Sequence, residues 1–179
     1  MSLKIFIYAT LTAIWLTLAG QARADAVPNQ IFFVYAQKSF LQARQSYEAN
    51  PDSTTNGWQF GQACSDLASL ATNDIQRAEI ARQGIEVCRH LLARETDSAP
   101  GHYYLAMNLG QLAKAKAPSI TSYKLVHEVE REFTAAAALD VNFDHAGPAR
   151  TLGLLYFQAP GWPLSIGSNH KADEWFKRA

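Results

Sequence analysis

Several residue types that mark particular protein classes are scarce in this chain of 179 residues. Pro and Gly number only 7 and 10, and no low-complexity run occurs, which argues against a disordered chain. No cluster of five or more Lys and Arg residues is present and the formal net charge is zero, which argues against nucleic acid as the main partner. With 48% hydrophobic residues, the chain can instead build the core of one domain.

The chain also lacks the short motifs of common enzymes. It contains no H-E-x-x-H, no C-x-x-C, no G-x-S-x-G, no phosphate-binding loop and no dinucleotide fingerprint, and its five histidines are scattered. The carboxylates of residues 128–132 are interpreted as a solvated helix face with local ion pairs rather than as acid–base catalysts. Asp144-His145 is interpreted as a helix N-cap ahead of Pro148 rather than as an oriented base. We therefore predict a protein that is not an enzyme and binds no cofactor or metal.

The longest hydrophobic run falls short of the roughly 20 residues that a membrane-spanning helix needs. It extends over 16 residues from Ile5 to Gly20, follows Lys4 and leads into Ala22-Arg23-Ala24. This order predicts a signal peptide over residues 1–24, cleaved before Asp25, with a single membrane anchor as the alternative. No Cys follows the run, which argues against a lipoprotein. The mature protein, with a net charge near −2, is expected in the periplasm or outside the cell, without insertion into the membrane.

Helical patterning fills the rest of the chain, and no strand is convincing. Residues 31–50 place apolar side chains at the spacing of one helix face, and Asn50-Pro51-Asp52 ends the segment. Six further helices are predicted, over residues 54–72, 74–95, 100–116, 120–139, 146–158 and 169–179. The expected fold class is all-α, with one domain over residues 25–179. Because its last helix leaves apolar residues uncovered at Ala179, we expect the domain to be truncated at its C-terminus.

An internal repeat with a period of 43 residues relates the later helices. Ala106, Leu109, Gly110 and Ala113 recur as Ala149, Leu152, Gly153 and Tyr156, and Val129, Phe133 and Ala136 recur as Ala172, Phe176 and Ala179. A weaker copy consists of Phe60, Cys64 and Leu67 followed by Gly84, Cys88 and Leu91. We expect antiparallel helix pairs that stack because one pair cannot bury its own apolar face. Gly110, Gly153 and Cys64 are expected to allow close helix contact within their pairs.

The two cysteines fall on the two helices of the first pair. The repeat alignment places Cys64 and Cys88 on facing sides, near the closest approach of the helices. Because an exported protein meets an oxidising compartment, they are disulfide candidates. Two buried free thiols are the alternative.

These residues resemble the tetratricopeptide repeat, whose signature places Leu-Gly and Tyr on a first helix and Ala, Phe and Ala on a second. The period of 43 exceeds the usual 34, mostly inside the helical hairpin, so HEAT-like helix pairs remain an alternative. The phrases DHAGP at residues 144–148 and APGWPLSIG at residues 159–167 are similar to a group of exported bacterial tetratricopeptide-like proteins. That group includes the T component of TRAP-type solute transporters. The resemblance covers residues 54–179 and implies an α-solenoid with enlarged loops within its repeats.

The resemblance also implies where a partner binds. First helices of such arrays line a concave face, and the residues expected to point into it are Trp58, Ser65, Tyr104, Met107, Gln111, Lys114, Arg150, Leu154 and Phe157. The alternative is that the aromatic members belong to the core between repeats. A second candidate is the elbow of the last pair, formed by Pro160, Gly161, Trp162, Pro163 and Ile166. We expect Trp162 and Ile166 to fold back over the last pair, with a binding lip as the alternative.

Together these features predict a non-enzymatic periplasmic binding or scaffold protein. The resemblance implies an accessory role in a TRAP-type solute-uptake system, with a periplasmic solute-binding protein as the partner. A small-ligand carrier that uses the concave face is the alternative.

Overall fold

The computed structural model describes residues 30–179, and all regular structure in this range is helical. The helices are α1 (residues 30–49), α2 (Thr54–Ser69), α3 (Asp74–Leu92), α4 (Ala99–Ala115), α5 (Ile120–Leu139), α6 (Phe143–Gln158) and α7 (Asn169–Phe176). Within the described range, extended pairing is limited to a bridge between Gly161 and Gly167. The all-α prediction is confirmed. The predicted signal peptide and its cleavage site lie outside the described residues.

Most helices begin at a polar residue whose side chain accepts a hydrogen bond from a backbone N–H. Ser53, Asn73, Ser98, Ser119 and Ser168 each bond the N–H three residues further on, at 2.9 to 3.3 Å. Such N-caps satisfy a donor that the helix leaves free in its first turn. The predicted helix starts of α2, α3, α4, α5 and α7 therefore fall at the correct places, because a capping residue precedes each of them. No helix of the described part is both long and apolar enough to cross a membrane.

The start of α6 departs from this pattern. Asn142 makes no capping hydrogen bond, and Asp144, His145 and Ala146 all have positive φ, between 50° and 59°. The prediction that Asp144 caps the helix is therefore wrong. Its carboxylate instead accepts a hydrogen bond from the Tyr103 hydroxyl at 3.3 Å. Left-handed backbone costs a non-glycine residue roughly 1–2 kcal/mol, so neighbouring contacts must hold this turn in place.

The helices pack in chain order as three pairs behind α1. The first pair is α2 and α3, the second is α4 and α5, and the third is α6 and α7. The first helices of the first two pairs, α2 and α4, pack extensively on each other, whereas α4 and α6 barely touch. A continuous core of buried side chains runs through the stack, including Leu67, Cys88, Leu109, Phe133 and Leu152. Phe40 of α1 extends this core, with its ring 5.4 Å from that of Phe60.

Close helix approach occurs at glycines, but not at all those predicted. A Cβ added to Gly153 would lie 2.5 Å from the Phe176 ring, which confirms the predicted contact within the third pair. A Cβ added to Gly110 would meet nothing within 4 Å, so the prediction for Gly110 is wrong. In the first pair the contact is made by Gly61 rather than Cys64, since a Cβ there would lie 2.4 Å from the Cys88 sulfur. Ala179 is exposed beyond the end of α7.

Both cysteines are completely buried in the first pair as free thiols. The candidate disulfide between Cys64 and Cys88 is thus not formed in this structure. Burial raises the pKa of the Cys64 thiol to about 12, and the pKa of Cys88 is also raised, chiefly by burial. Raised pKa values keep both groups as unreactive thiols at neutral pH.

The acidic run of α5 is only partly the solvated face that was predicted. Glu128 does form ion pairs at the surface, with Arg89 at 2.6 Å and Arg131 at 3.6 Å. Glu132 is instead buried, with its carboxylate 2.6 Å from His102 Nδ1. Glu130 accepts a hydrogen bond from the Tyr156 hydroxyl of α6 and lies 3.7 Å from Lys171 of α7. The three glutamates therefore connect α5 to different neighbours. Glu128 contacts α3, Glu130 contacts α6 and α7, and Glu132 contacts α4.

Candidate functional site

The structure divides the predicted concave residues into a buried set and an open set. Ser65 and Tyr104 are buried in the core, and Trp58 is half-buried with its ring stacked on Tyr104 at 5.9 Å. These three contribute to the core between helices. Arg150 is exposed and donates a hydrogen bond to the Asp144 carbonyl at 2.9 Å, which supports the left-handed turn. The remaining members lie at the junction of the second and third pairs.

Four predicted residues line one cavity between α4 and α6. Met107, Gln111, Lys114 and Leu154 contribute to its wall, and its volume is about 210 Å³. Phe157, also on α6, does not line this cavity and is 64% exposed. Four of the nine residues predicted for the concave face therefore line one cavity at this junction.

A larger cavity of about 550 Å³ adjoins the first one. The two share Gly110, Lys114, Val129, Leu155 and Gln158, and we call their combined space the Gly110 groove. The larger part is further lined by residues of α4, α5 and both elbows, namely Ala113, Ala117, Pro118, Ser122, Tyr123, Val126, Ala159, Pro160 and Ser165. Its volume falls within the roughly 300–1,000 Å³ typical of small-ligand sites.

The groove exists because Gly110 contributes no side chain and the third pair does not fill the space. At the preceding junction Asn108 is completely buried between α3 and α4, beside a cavity of about 400 Å³ lined by residues of α3, α4 and α5. A Cβ on Gly84 would lie 2.3 Å from the Asn108 side chain, and the Asn108 amide donates to the Gly61 carbonyl at 2.8 Å. The contact at Asn108 is therefore filled by a hydrogen-bonded side chain, whereas Gly110 faces open space.

The groove wall is mainly apolar, with a small number of polar groups. Lys114 is the one charged residue along it, and within residues 30–179 it forms no ion pair. The Ser122 hydroxyl is already used, because it donates to the Ala113 carbonyl at 3.0 Å. Gln111 Oε1 and Ser165 Oγ are buried without a hydrogen-bond partner in the described structure. Buried polar atoms are usually paired, so these two represent unused hydrogen-bonding capacity beside the groove.

The elbow of the last pair lies at one end of the groove. Pro160 lines the larger cavity, and Ile166 is half-buried against the core as predicted. Trp162 is 89% exposed, so the prediction that it folds over the last pair is wrong. The bridge between Gly161 and Gly167 closes the elbow into a tight loop that directs residues 162–164 away from the helices. Trp162 and Pro163 therefore form a protruding tip.

A separate set of titratable groups lies around Asp144, at the left-handed turn that begins α6. Burial, and then the charge of Asp144 and its hydrogen bond, raises the pKa of Tyr103 to about 12. Asp66 has a raised pKa, first through desolvation and second through the Asp144 charge. Asp144 and His145, which could have formed an oriented base, are both exposed on the left-handed turn. In the described part of the chain, no group of three or more His, Cys, Asp or Glu residues could hold a metal ion.

Sequence reasoning missed the α5 side of the groove and the role of Gly110. Tyr123 and Val126 had no motif to single them out, because their contribution depends on how far the third pair stands from the second. No protein-family model matches the chain, and a comparison with curated proteins finds no similar sequence.

Proposed function

We propose that this protein is an exported, non-enzymatic binding module built as a tetratricopeptide-like α-solenoid. The observation that supports this function best is the open, mainly apolar Gly110 groove between two helix pairs. Concave apolar sites with a small number of polar groups are the usual form of a binding site. The exported location rests on the signal-peptide pattern, and an accessory role in TRAP-type solute uptake rests on the resemblance of residues 54–179.

A protein partner is supported by the exposed apolar surface beside the groove. Phe157, Trp162 and Leu164 are 64%, 89% and 66% exposed, and all three belong to the third pair and its elbow. Large aromatic side chains are common anchors in protein interfaces. The resemblance makes a periplasmic solute-binding protein the partner to test first.

The partner is tested by affinity capture from an envelope extract of the source bacterium. We expect the double variant Phe157→Ala/Trp162→Ala to lose a partner that the unchanged protein retains. The matched control is Ile75→Ala, which truncates an apolar residue that is 74% exposed on α3, away from the groove. Equal capture by the double variant and the unchanged protein would contradict docking on this surface.

A small-ligand carrier is the second candidate, and the volume and lining of the larger cavity favour it. A carrier is expected to copurify with a small molecule. Native mass spectrometry of the purified protein would detect such a molecule as a discrete added mass, and denaturation would release it.

A further inference from the structure

The Gly110 groove has a distribution of charge that narrows the class of small ligand. Lys114 lines both of its cavities, whereas no Asp, Glu or Arg side chain lines either one. Lys114 also has no carboxylate partner among residues 30–179, unlike Lys171 and Lys177, which lie near Glu130 and Asp173. An unpaired ammonium group beside an apolar space favours an anionic group on the ligand.

The position of Lys114 places this charge at the edge of the groove. Lys114 follows Gly110 by four residues, so both lie on one face of α4, one helical turn apart. No atom lies within 4 Å of a Cβ added to Gly110, so the groove is open above this residue. The Lys114 side chain, by contrast, is exposed to solvent. A ligand lying along α4 would therefore have its apolar part over Gly110 and its charged end near water.

The apolar part of the groove can accept a chain or ring of moderate size. Val126, Val129 and Leu155 form its walls, and Ala117-Pro118 and Ala159-Pro160 close its end. The transfer of apolar surface from water onto these walls supplies the main binding energy, whereas the lysine supplies selectivity.

We propose that the Gly110 groove binds an amphiphilic monoanion, with its apolar body over Gly110 and its carboxylate at Lys114. This inference rests on the carrier function proposed above and adds the chemical class of the ligand. The unpaired hydroxyl of Ser165 lies in the wall of the same cavity and offers a further donor.

The test uses three probes with the same apolar chain and different head groups: dodecanoate, dodecanol and dodecylammonium. Their binding to the purified protein is measured by calorimetry below the concentrations at which they aggregate. We expect dodecanoate to bind about fivefold more tightly than dodecanol, the upper range for an exposed ion pair, and dodecylammonium to bind most weakly. Lys114→Met is expected to remove the preference for dodecanoate while dodecanol binding stays unchanged.

Gly110→Leu is the second variant, because no atom lies within 4 Å of an added Cβ and the rest of the side chain then occupies the groove. We expect it to weaken the binding of dodecanoate at least about tenfold, since the apolar part of the site is then occupied. Ala138→Leu, which adds a leucine at an exposed position of α5 outside the groove, is the matched control and should bind normally. Circular dichroism and the unfolding midpoint establish that both variants fold.

The outcomes separate the two proposals. Equal binding of all three probes, lost in Gly110→Leu, would overturn the anionic class and leave the carrier function standing. Binding that Gly110→Leu does not weaken would overturn the groove as the site. The absence of binding by any of the three probes would overturn both the carrier function and the ligand class.

Discussion

The junction between the first and second helix pairs differs from the junction between the second and third. At the first, Asn108 is completely buried against Gly84 and donates hydrogen bonds to the Gly61 and Tyr104 carbonyls, each at 2.8 Å. At the second, Gly110 faces open space. The two positions are only two residues apart on α4, so one helix makes a filled contact at Asn108 and leaves open space at Gly110.

Gly110 and Gly153 show why the repeat does not determine this difference. They occupy equivalent positions, and each is followed by an equivalent phenylalanine, Phe133 or Phe176. The ring of Phe176 covers Gly153, whereas the ring of Phe133 lies 5.6 Å from that of Tyr103 and leaves Gly110 uncovered. The sequence repeat therefore sets the positions of the helices. Whether the space over each glycine is filled depends on where the equivalent phenylalanine packs.

The largest change in the free energy of unfolding is expected from adding one methyl group at Gly84, in the junction between the first and second pairs. Gly84→Ala would force a Cβ against the Asn108 side chain, which is buried and already hydrogen-bonded. We expect a loss of about 3 kcal/mol in the free energy of unfolding, from overpacking together with weakened buried hydrogen bonds. Urea denaturation followed by circular dichroism measures it.

Gly110→Ala is the matched substitution at the open junction. No atom lies within 4 Å of the added Cβ, so the helix-forming preference of Ala decides the sign. We expect a gain of about 0.5–1 kcal/mol in the free energy of unfolding. Similar losses at both glycines would show that the two junctions do not differ as described.

The next largest change in stability is expected where the third pair is attached to α5 through Glu130. Glu130→Ala removes the acceptor of the Tyr156 hydroxyl and the ion pair with Lys171. We expect a loss of about 1–2 kcal/mol, because the hydroxyl of a buried tyrosine is left without its partner. Thermal unfolding measures the change.

Glu128→Ala is the control for this prediction, since the two carboxylate side chains are equally exposed, at 24%. The partners of Glu128, Arg89 and Arg131, are 55% and 68% exposed, so its loss should cost less than about 1 kcal/mol. A smaller cost for Glu130→Ala than for Glu128→Ala would contradict the link between α5 and the third pair.

A smaller change in the free energy of unfolding is expected when Asp66 is replaced, and the pKa of Asp66 determines whether the protein gains or loses stability. Its pKa is raised in the folded protein, so the folded state binds this proton more tightly than the unfolded chain does. Between the two pKa values, stability from this group falls as pH rises, and at neutral pH the carboxylate is destabilising. Asp66→Asn should therefore stabilise the protein at pH 7 by less than about 1 kcal/mol, given its contact with solvent.

The measurement compares unfolding curves of Asp66→Asn and the unchanged protein from pH 3 to pH 7. The advantage of the variant should disappear toward acid, where Asp66 is protonated in both states. Asp97→Asn, at an exposed position without described ion pairs, is the control for the change in net charge. An advantage that grows as pH falls would reverse the assigned sign.

The smallest stability effect is expected at the elbow tip. Trp162→Ala should change the free energy of unfolding by less than about 0.5 kcal/mol, because the side chain is almost fully exposed. Trp58→Ala should cost about 3 kcal/mol, since that ring stacks on the buried Tyr104. Comparable losses for the two tryptophans would indicate that the elbow packs against the helices after all.

The positions of the helices could be predicted because the signals for them are local. Ser53, Asn73 and Ser119 mark helix starts through short-range hydrogen bonds, and the apolar spacing between them repeats every three to four residues. These signals require no knowledge of neighbouring helices. The left-handed turn at residues 144–146 could not be read in this way, because contacts with Tyr103 and Arg150 support it.

The candidate site was predictable on its α4 and α6 sides and at Pro160 of the elbow. Met107, Gln111, Lys114 and Leu154 were singled out because the resemblance to tetratricopeptide arrays implies that these positions of the first helices point inward. Val126 and Tyr123 of α5 were not, since their role depends on the distance between pairs. The exposure of Trp162 was missed for a related reason: apolar character favours burial, but the paired glycines of the elbow hold the tip away from the core.

The link through Glu130 affects how the molecule comes apart. The third pair meets the rest of the protein through a thin contact with α4 and through α5, where one carboxylate serves both Tyr156 and Lys171. We expect the third pair to open as a unit while α2 to α5 stay folded, and its amide hydrogens to exchange with solvent first. Because α6 and the elbow form one wall of the groove, partial unfolding of that wall becomes a route of entry. The lifetime of an occupant would then follow the frequency of this opening, so affinity and residence time could be tuned separately.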